Sequence, residues 1–365
     1  MTYERDNIRA MQGYTSGEQP DDARTIKLNT NENPYPPAPG VSEALRAFDP
    51  IDLRRYPPAT ARPLRTQIAA LHGLAEDEVI ATRGGDELLR LLITTFVEPG
   101  CAIGTTRPSY SLYGVLAAIH DSPVFEVDLT DDFGLPADFA ADCNRNDCAL
   151  TLIVNPHAPS GRLFSAEEIR AVASESKGVV LVDEAYVDFV DPGIRYDVLP
   201  LLREFDNLIV LRTLSKGYSL AGLRLGYGLG PASLIQPMLQ KTRDSYNLDA
   251  VSQVIAASAL ADQTYARSTW EKVRSERVRM ESALQGLGFT TWPTQTNFLL
   301  AKVPDDGPSA ADVYAHLKNR GVLVRFFGTA GMDDKLRVTV GTPDENQRLL
   351  NLLNELYGTS TAEGH

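Results

Sequence analysis

The residue with the clearest chemical potential is Lys216, which lies in the run Thr213–Tyr218 just after the apolar segment Leu208–Leu211. Ser215 precedes it directly, and Arg224 follows after a short gap. A lysine amine forms Schiff bases with carbonyl compounds, while serine and arginine donate hydrogen bonds to anions. The carbonyl cofactor that carries its own anion is pyridoxal 5'-phosphate, PLP. The run therefore predicts a covalent PLP site, with a surface lysine at a strand end as the alternative.

A carboxylate follows another apolar run, in the segment Val182–Tyr186. An acid at the end of a buried strand lies at the carboxyl edge of the sheet, where open α/β folds bind ligands. Ionised Asp183 would bind a protonated pyridine nitrogen, and Tyr186 could donate to the phenolic oxygen of the same ring. From this segment alone, a helix cap or a metal ligand remains the alternative.

Two glycines in the segment Arg83–Glu87 follow a predicted strand and open an amphipathic helix. Glycines let the backbone approach an anion, and the first N–H groups of a helix are free to bind it. The segment predicts a phosphate-binding turn around Gly85 and Asp86, although glycine pairs before helices are also common turns. Side-chain donors to the same phosphate would be Arg224, Ser215 and Thr213.

Three further side chains are placed to contact a flat, anionic ligand. Tyr110 follows the next predicted strand, where its ring could stack on a cofactor or pack in the core. Arg337 lies within the strand-like segment Leu336–Val340, and Arg325 closes Val322–Arg325. Half-buried arginines need an anionic partner, which could be a structural carboxylate, a substrate carboxylate or a substrate phosphate.

The elements that must position these residues follow from hydrophobic patterning. From about residue 76 to 230, short apolar runs alternate with amphipathic stretches, which predicts an α/β fold with a large, mainly parallel sheet. A long helical segment, Ala250–Leu287, and further strands and helices predict a smaller α+β domain. The proline-rich region from about 13 to 60 predicts an extended arm. We assign an N-terminal arm to 1–34, a large domain to 35–247 and a small domain to 248–365.

Composition narrows the classes of function. The chain has 365 residues and a formal net charge of -13, which argues against general affinity for nucleic acid or anionic membranes. No apolar stretch approaches the roughly 20 residues that cross a bilayer, and the polar start lacks a secretory segment. We therefore expect a cytoplasmic protein. Three cysteines and five histidines show no metal-ligand spacing, so no metal is expected.

In their order and number these motifs resemble the fold-type I PLP-dependent aminotransferases, and the flanking motifs resemble the histidinol-phosphate aminotransferase branch. The resemblance runs from about Tyr14 to Leu353. The segments that carry it are Lys27–Pro37, Arg55–Pro57, Asp183–Tyr186, Thr213–Lys216, Gly222–Gly226, Tyr246–Asn247 and Leu336–Thr342.

The resemblance implies a role for each candidate residue. Lys216 would hold the cofactor covalently, Asp183 would bind its pyridine nitrogen, and Tyr186 would contact its ring oxygen. Tyr56 would reach the phosphate of the neighbouring subunit, which requires a homodimer. The remaining implied contacts are the phosphate with Gly85, Asp86, Ser215 and Arg224, the ring with Tyr110, and the substrate with Arg325, Arg337, Tyr14 and Asn31.

One segment departs from the family pattern. The family usually has Asn-Pro-Asn-Asn-Pro-Thr-Gly where this chain has Asn155–Gly161, so Ala158 replaces the asparagine that normally donates to the cofactor's ring oxygen. Asn155 or His157 would supply the donor, or Tyr186 would act alone. We hypothesise that His157 substitutes, as the nearest polar side chain. Loss of this hydrogen bond should raise the pKa of the lysine–cofactor linkage.

The resemblance implies an aminotransferase that uses histidinol phosphate as amino donor and 2-oxoglutarate as acceptor, in histidine biosynthesis. An aromatic amino-acid aminotransferase would use the same residues on phenylalanine or tyrosine, and a threonine-phosphate decarboxylase would break a different bond. A PLP-fold transcription regulator is the non-enzymatic alternative. It would need a DNA-binding domain and a basic patch, which the short N-terminal segment and the charge of -13 disfavour.

Overall fold

A computed structural model of the chain describes residues 3–20, 22 and 24–358. The strands are β1 (Ile26–Lys27), β2 (Val79–Thr82), β3 (Ile103–Arg107), β4 (Val124–Asp128), β5 (Leu150–Val154), β6 (Val179–Asp183), β7 (Leu208–Thr213), β8 (Gly226–Leu229), β9 (Thr290–Thr291), β10 (Phe298–Lys302), β11 (Val322–Leu323), β12 (Arg325–Phe326) and β13 (Lys335–Thr339). The helices are α1 (Asp6–Ala10), α2 (Pro39–Ala47), α3 (Arg62–His72), α4 (Gly84–Phe96), α5 (Leu112–His120), α6 (Phe139–Arg145), α7 (Ala166–Glu175), α8 (Ala232–Pro237), α9 (Ala250–Ala261), α10 (Gln263–Gly286), α11 (Ala310–Asn319) and α12 (Pro343–Tyr357).

The larger sheet has seven strands in the order β2-β8-β7-β6-β5-β3-β4. Neighbouring strands are parallel except around β8, which runs antiparallel to both β2 and β7. Helices cover both faces, which is why the central strands are continuous apolar runs. Along β6, Val180 and Val182 point into one apolar core and Leu181 into the other, because side chains alternate across a strand. The predicted mainly parallel α/β sheet is confirmed.

A smaller antiparallel sheet, in the order β12-β13-β10-β9, packs with α10, α11 and α12. A capping box begins α12, where the Thr342 side chain accepts from the Glu345 N–H and the Glu345 side chain accepts from the Thr342 N–H. In this sheet Arg325 of β12 lies directly opposite Arg337 of β13. The register therefore places two cationic residues side by side.

Three predicted segments differ in detail from the structure. The predicted helix Ala250–Leu287 is broken at Asp262, whose carboxylate accepts from the Tyr265 N–H at 3.0 Å and begins α10 as an N-cap. The predicted strand Val322–Arg325 is divided between β11 and β12, which pair in different sheets. The predicted extended arm contains α2, which Pro39 can begin because proline is favoured in the first turn of a helix.

The N-terminal arm contacts both the large and the small sheet. Its strand β1 runs parallel to β11, and the Thr339 N–H donates to the Leu28 carbonyl at 2.9 Å. These contacts carry the next residues, Thr30 and Asn31, over the carboxyl edge of the large sheet. The domain boundaries assigned above remain predictions, and their outermost residues, 1 and 365, lie outside the described part of the chain.

Within the described ranges, no helix is both long and apolar enough to cross a membrane. The same ranges contain no cluster of three or more His, Cys, Asp or Glu side chains arranged as metal ligands would be.

Candidate active site

Lys216 follows β7 at the carboxyl edge of the large sheet. Its Nζ donates to the Thr30 carbonyl at 2.8 Å and lies 5.8 Å from the centre of the Tyr186 ring. Burial lowers the pKa of Lys216 to about 8, and the charges of Arg337 and Arg224 act in the same direction. The amine therefore has a substantial neutral, nucleophilic fraction near neutral pH.

We expect PLP to attach to the cofactor-free protein at a rate that rises with pH and levels off above about pH 8. Only the neutral amine reacts, so the rate follows deprotonation of Lys216, whereas an ordinary lysine would still be gaining rate near about pH 10. The measurement is growth of the visible absorption band after mixing with PLP. A Lys216→Ala variant is the control, and a wild-type rate still rising through about pH 10 would contradict the assignment.

Asp183 ends β6 and is buried. Its Oδ2 accepts from the Tyr113 hydroxyl at 3.1 Å, and its Oδ1 accepts from the Ala185 N–H at 3.1 Å. Burial nevertheless raises the pKa of Asp183 to about 6. A cation beside it, such as a protonated pyridine nitrogen, would offset that desolvation and hold the carboxylate ionised.

Tyr113 is a functional candidate that the sequence reasoning missed. It is fully buried in the first turn of α5, and its ring meets that of Tyr110 edge-on, with centroids 5.5 Å apart. The available signal was its spacing of one helical turn from Tyr110, which places both rings at the same sheet edge. Its hydroxyl positions Asp183 and accounts for one of the two hydrogen bonds to that carboxylate.

Tyr186 is buried close to Lys216 and contacts the arm. Its hydroxyl oxygen accepts from Nδ2 of Asn31 at 2.9 Å, and its ring meets Phe298 edge-on at 5.2 Å. Burial raises the pKa of Tyr186, so its phenol keeps its proton at neutral pH. Asn31, predicted to contact substrate, is thus hydrogen-bonded to a residue predicted to contact the cofactor.

The predicted phosphate turn is shaped by close contacts around its glycines. Arg224 Nη2 lies 3.1 Å from Asp86 Oδ2, and its Nη1 lies 3.4 Å from Ser215 Oγ. A Cβ at Gly84, where φ is +76°, would lie 2.8 Å from Arg224 Nη2. A Cβ at Gly226 would lie 2.8 Å from the backbone of the same turn. The narrow backbone approach and the arginine beside it fit a phosphate at the start of α4.

Thr213 stabilises the phosphate turn through its side-chain hydroxyl. Its hydroxyl lies 3.1 Å from the Leu225 carbonyl and 3.0 Å from Ser215 Oγ, and it accepts from the Ser215 N–H at 3.1 Å. The single hydroxyl proton of Thr213 is therefore already used within the protein. The hydroxyl that lies beside Arg224 is instead that of Ser215.

Tyr110 was predicted to contact the cofactor ring, and Tyr56 the cofactor phosphate of the neighbouring subunit. The two side chains lie in different places. Tyr110 is partly buried at the sheet edge, where its ring meets that of Tyr14 at 6.2 Å between centroids. Tyr56 is 79 % exposed and stacks on Tyr246 at 4.3 Å. Within one chain, the structure brings Tyr110 and Tyr14 together, whereas the aromatic partner of Tyr56 is Tyr246.

Asn155 and His157 are both occupied by contacts within the protein. The Asn155 amide donates to the Phe164 carbonyl and the Tyr196 hydroxyl and accepts from the Phe164 N–H. His157 Nε2 lies 3.0 Å from the Pro108 carbonyl and Nδ1 lies 2.7 Å from Ser160 Oγ.

These contacts assign the ring proton of His157. A carbonyl can only accept, so Nε2 carries the proton and Nδ1 accepts from Ser160. Burial lowers the pKa of His157 to about 4, which keeps the ring neutral. Neither Asn155 nor His157 has a free donor, so this geometry argues against our hypothesis that His157 replaces the missing asparagine at position 158.

Arg325 and Arg337 form an unpaired cationic site in the small sheet. Neither guanidinium pairs with a carboxylate among the residues that the structure describes. Among the described residues, Arg337 donates only to the Asn29 carbonyl, at 3.1 Å, and its buried Nε has no partner. Burial lowers the pKa of Arg337, and the charge of Arg325 acts in the same direction. An anion bound between the two would supply the missing partner.

This combination of fold, reactive lysine and anion sites has a close counterpart among known families. The family model for aminotransferase class I and II matches residues 23–353. The chain therefore belongs to the class I and II aminotransferases and is a PLP-dependent aminotransferase.

Individual relatives narrow the family further. The chain is 40% identical to histidinol-phosphate aminotransferase 1 of Trichormus variabilis, over 97% of this chain and 99% of that one. It is also 40% identical to the histidinol-phosphate aminotransferase of Citrifermentans bemidjiense, over 96% and 98%. A crystal structure of the Sinorhizobium meliloti histidinol-phosphate aminotransferase with pyridoxal-5'-phosphate superposes with a TM-score of 0.87 at 25% identity, covering 97% of both chains. Within the class, this chain is a member of the histidinol-phosphate aminotransferase family.

Proposed function

We propose that the protein transfers the amino group of histidinol phosphate to 2-oxoglutarate, forming glutamate, as a cytoplasmic homodimer in histidine biosynthesis. The observation that carries the substrate assignment is the opposed pair Arg325 and Arg337, which has no carboxylate partner among the described residues. The 40% identity to curated histidinol-phosphate aminotransferases supports the same assignment.

The arginine pair suits a phosphate monoester. Two guanidinium groups on adjacent strands repel each other, and the repulsion is relieved most by an anion of high charge. A phosphate carries close to two negative charges at neutral pH and three acceptor oxygens, whereas a carboxylate carries one charge and two oxygens. The same pair can hold the carboxylate of 2-oxoglutarate in the second half of the reaction.

The remaining roles belong to groups at the sheet edge. When bound, PLP supplies a carbonyl that condenses with amines and a ring that accepts an electron pair. We assign the covalent attachment to Lys216 Nζ. The substrate amine would displace this nitrogen from the cofactor carbonyl carbon, and the freed amine of Lys216 would then remove the proton from the substrate carbon that bears the amine. Asp183 holds the proton on the pyridine nitrogen, and Gly85, Asp86, Ser215 and Arg224 hold the phosphate. Tyr110 stacks on the ring, and Tyr14 covers the substrate from the arm.

The homodimer is proposed from exposed apolar residues in the same segment of the chain as Tyr56. Ile51 and Leu53 are 58% and 59% exposed, and Tyr56 stacks on the half-exposed Tyr246. An apolar group of this kind marks a protein interface. In a homodimer, Tyr56 would reach the phosphate turn of the partner subunit.

The test is a single half-reaction. The purified protein is loaded with PLP, and the visible spectrum is followed after addition of histidinol phosphate, phenylalanine or tyrosine without any oxo acid. We expect rapid conversion of the cofactor to its amino form with histidinol phosphate. Faster conversion with phenylalanine or tyrosine would indicate an aromatic aminotransferase instead, and carbon dioxide release from threonine phosphate would indicate a decarboxylase.

We expect Arg337→Gln to lower kcat/KM for histidinol phosphate by about 10- to 100-fold, because a charge-assisted hydrogen bond of about 1.5 to 3 kcal/mol is lost. Histidinol, which lacks the phosphate, should be affected much less, so the preference for the phosphorylated donor collapses. Arg320→Gln is the matched control, since Arg320 is an exposed arginine paired with Glu355. Equal losses with both donors would show that Arg337 does not bind the phosphate.

A further inference from the structure

The Tyr186 hydroxyl is held by the arm in a defined orientation. Nδ2 of Asn31 lies 2.9 Å from the Tyr186 oxygen. Asn31 reaches this position from a left-handed backbone conformation, with φ of 56°, which asparagine tolerates better than most residues. Its backbone carbonyl accepts from Asn297 Nδ2 at 3.0 Å. The arm is thus anchored on both sides of the contact.

Thr339 determines which end of the Asn31 amide faces Tyr186. The Thr339 hydroxyl accepts from the Asn31 backbone N–H at 3.0 Å and lies 3.2 Å from Asn31 Oδ1. Among the described residues the Thr339 hydroxyl has no other acceptor, so its one proton is donated to Oδ1. The amide oxygen therefore points to Thr339, and the NH2 group points to Tyr186. In this arrangement the Tyr186 oxygen accepts and its own proton is free.

No acceptor for that free proton lies within hydrogen-bond distance among the described residues. Ala158 has no side-chain donor, and the polar groups of Asn155 and His157 are used elsewhere. Tyr186 is consequently the side chain in this part of the site with a proton to donate to the ring oxygen of PLP. Any group that sets the direction and strength of its O–H also sets that one hydrogen bond.

We propose that Asn31 is a positioning residue that directs the Tyr186 hydroxyl towards the cofactor's ring oxygen, and that Thr339 fixes Asn31 for this purpose. Donation from Asn31 polarises the Tyr186 O–H and makes it a stronger donor. The proposal rests on the proposed contact between Tyr186 and the cofactor. It assigns to the arm a role in setting the proton affinity of the lysine–cofactor linkage, in addition to covering the substrate.

The charged and titratable groups around the Tyr186 hydroxyl come from every neighbouring element. They are Arg337 of β13, Asp183 at the end of β6, Tyr14 of the arm, Lys216 after β7, Tyr110 after β3 and Tyr113 of α5. None of these six residues is changed in the variants at Asn31 and Thr339 described next. A difference between those variants therefore reports the hydrogen bond and not a change in nearby charge.

The test measures the pH midpoint at which the visible absorption of the PLP-loaded protein changes. A hydrogen bond donated to the ring oxygen competes with the linkage proton for that oxygen, so its loss raises the midpoint. We expect Tyr186→Phe to raise it by about one unit or more, and Asn31→Ala by about 0.3 to 1 unit. Thr339→Val should raise the midpoint less than Asn31→Ala does. Thr339→Ser, which keeps the hydroxyl, should have the wild-type midpoint. Ala158→Asn, which returns the usual donor, should lower it.

The double variant Asn31→Ala with Tyr186→Phe decides the mechanism, because Asn31 can act through the hydroxyl only while the hydroxyl is present. We expect no further shift beyond Tyr186→Phe alone. Asn29→Ala is the matched control, since the Asn29 amide lies in the same arm but donates to the Glu18 carbonyl; it should leave the midpoint unchanged.

Three results would overturn the proposal: an unchanged midpoint in Asn31→Ala, an equal shift in the Phe background, or an unchanged midpoint in Thr339→Val if Asn31→Ala does not fold. Failure of the proposed function looks different, because the PLP-loaded wild-type protein would then not convert its cofactor to the amino form with histidinol phosphate, while its pH midpoint would still be measurable.

Discussion

Replacing Lys216 with alanine should lower kcat by roughly ten-thousandfold or more, the largest loss expected from any single substitution. The variant lacks both the amine that attaches the cofactor and the base that moves the substrate proton. Lys216 Nζ stands at the sheet edge with a pKa lowered to about 8, whereas neighbouring carboxylates raise the pKa values of Lys302 and Lys318. The measurements are turnover and borohydride reduction of the PLP-loaded protein followed by peptide mass analysis.

Two controls separate lost chemistry from lost structure. The variant should keep the wild-type circular dichroism spectrum and still bind PLP, because the groups around Gly85 and Arg224 remain. A small primary amine added to the solution should restore part of the turnover by replacing the missing base. Lys302→Ala, at a partly exposed lysine paired with Asp305, should behave like wild type. Near-normal turnover by Lys216→Ala would refute the assignment.

Asp183→Asn should lower kcat by about 100- to 1000-fold, because the neutral amide cannot stabilise a proton on the pyridine nitrogen. In the cofactor-free protein, the same substitution should maintain or increase the stability of the folded state. The pKa of Asp183 is raised to about 6 in the folded state, so the folded state binds this proton more tightly than the unfolded state does. This group therefore contributes less to stability as pH rises from about 4 to about 6, and its desolvation costs up to about 3 kcal/mol at neutral pH.

The sign of the stability change makes this prediction specific. Without PLP, Asp183→Asn should be as stable as wild type or more stable at neutral pH, and with PLP it should gain less stability than wild type. Thermal unfolding with and without PLP at two pH values measures both effects. Tyr113→Phe, which removes one hydrogen bond but keeps the charge, is the matched comparison and should lose about tenfold or less. Equal losses in the two variants would mean that the charge of Asp183 is not what matters.

Local sequence was sufficient to predict the positions of the reactive groups. Lys216 and Asp183 each follow a run of apolar residues, and parallel strands of this kind place their carboxyl ends at one edge. The glycines around Gly85 and the arginine at 224 were predictable because a phosphate needs backbone access and a cation. The α/β fold was predicted from the same patterning and is confirmed, since the seven strands of the large sheet, β2 to β8, all lie in the region from about 76 to 230.

Contacts between distant segments could not be predicted in this way. The hydroxyl that holds Asp183 comes from Tyr113, 70 positions away, and the threonine that orients Asn31 lies 308 positions away. His157 shows the converse error, because proximity in sequence to Ala158 suggested a replacement donor while the folded chain directs both ring nitrogens to Pro108 and Ser160. Side-chain direction depends on neighbours that the local sequence does not contain.

By itself, the sequence determined the fold class, the lysine that can carry a carbonyl cofactor, and the edge of the sheet at which we propose the chemistry, because these follow from residue type and the strand and helix periods. Only the tertiary structure decided the state of those groups. It lowered the pKa of Lys216 and raised that of Asp183 through burial, left Arg325 and Arg337 without a carboxylate partner among the described residues, and oriented the Tyr186 hydroxyl through Asn31. Desolvation and hydrogen bonding depend on what packs around a group, and that is established only when distant parts of the chain meet.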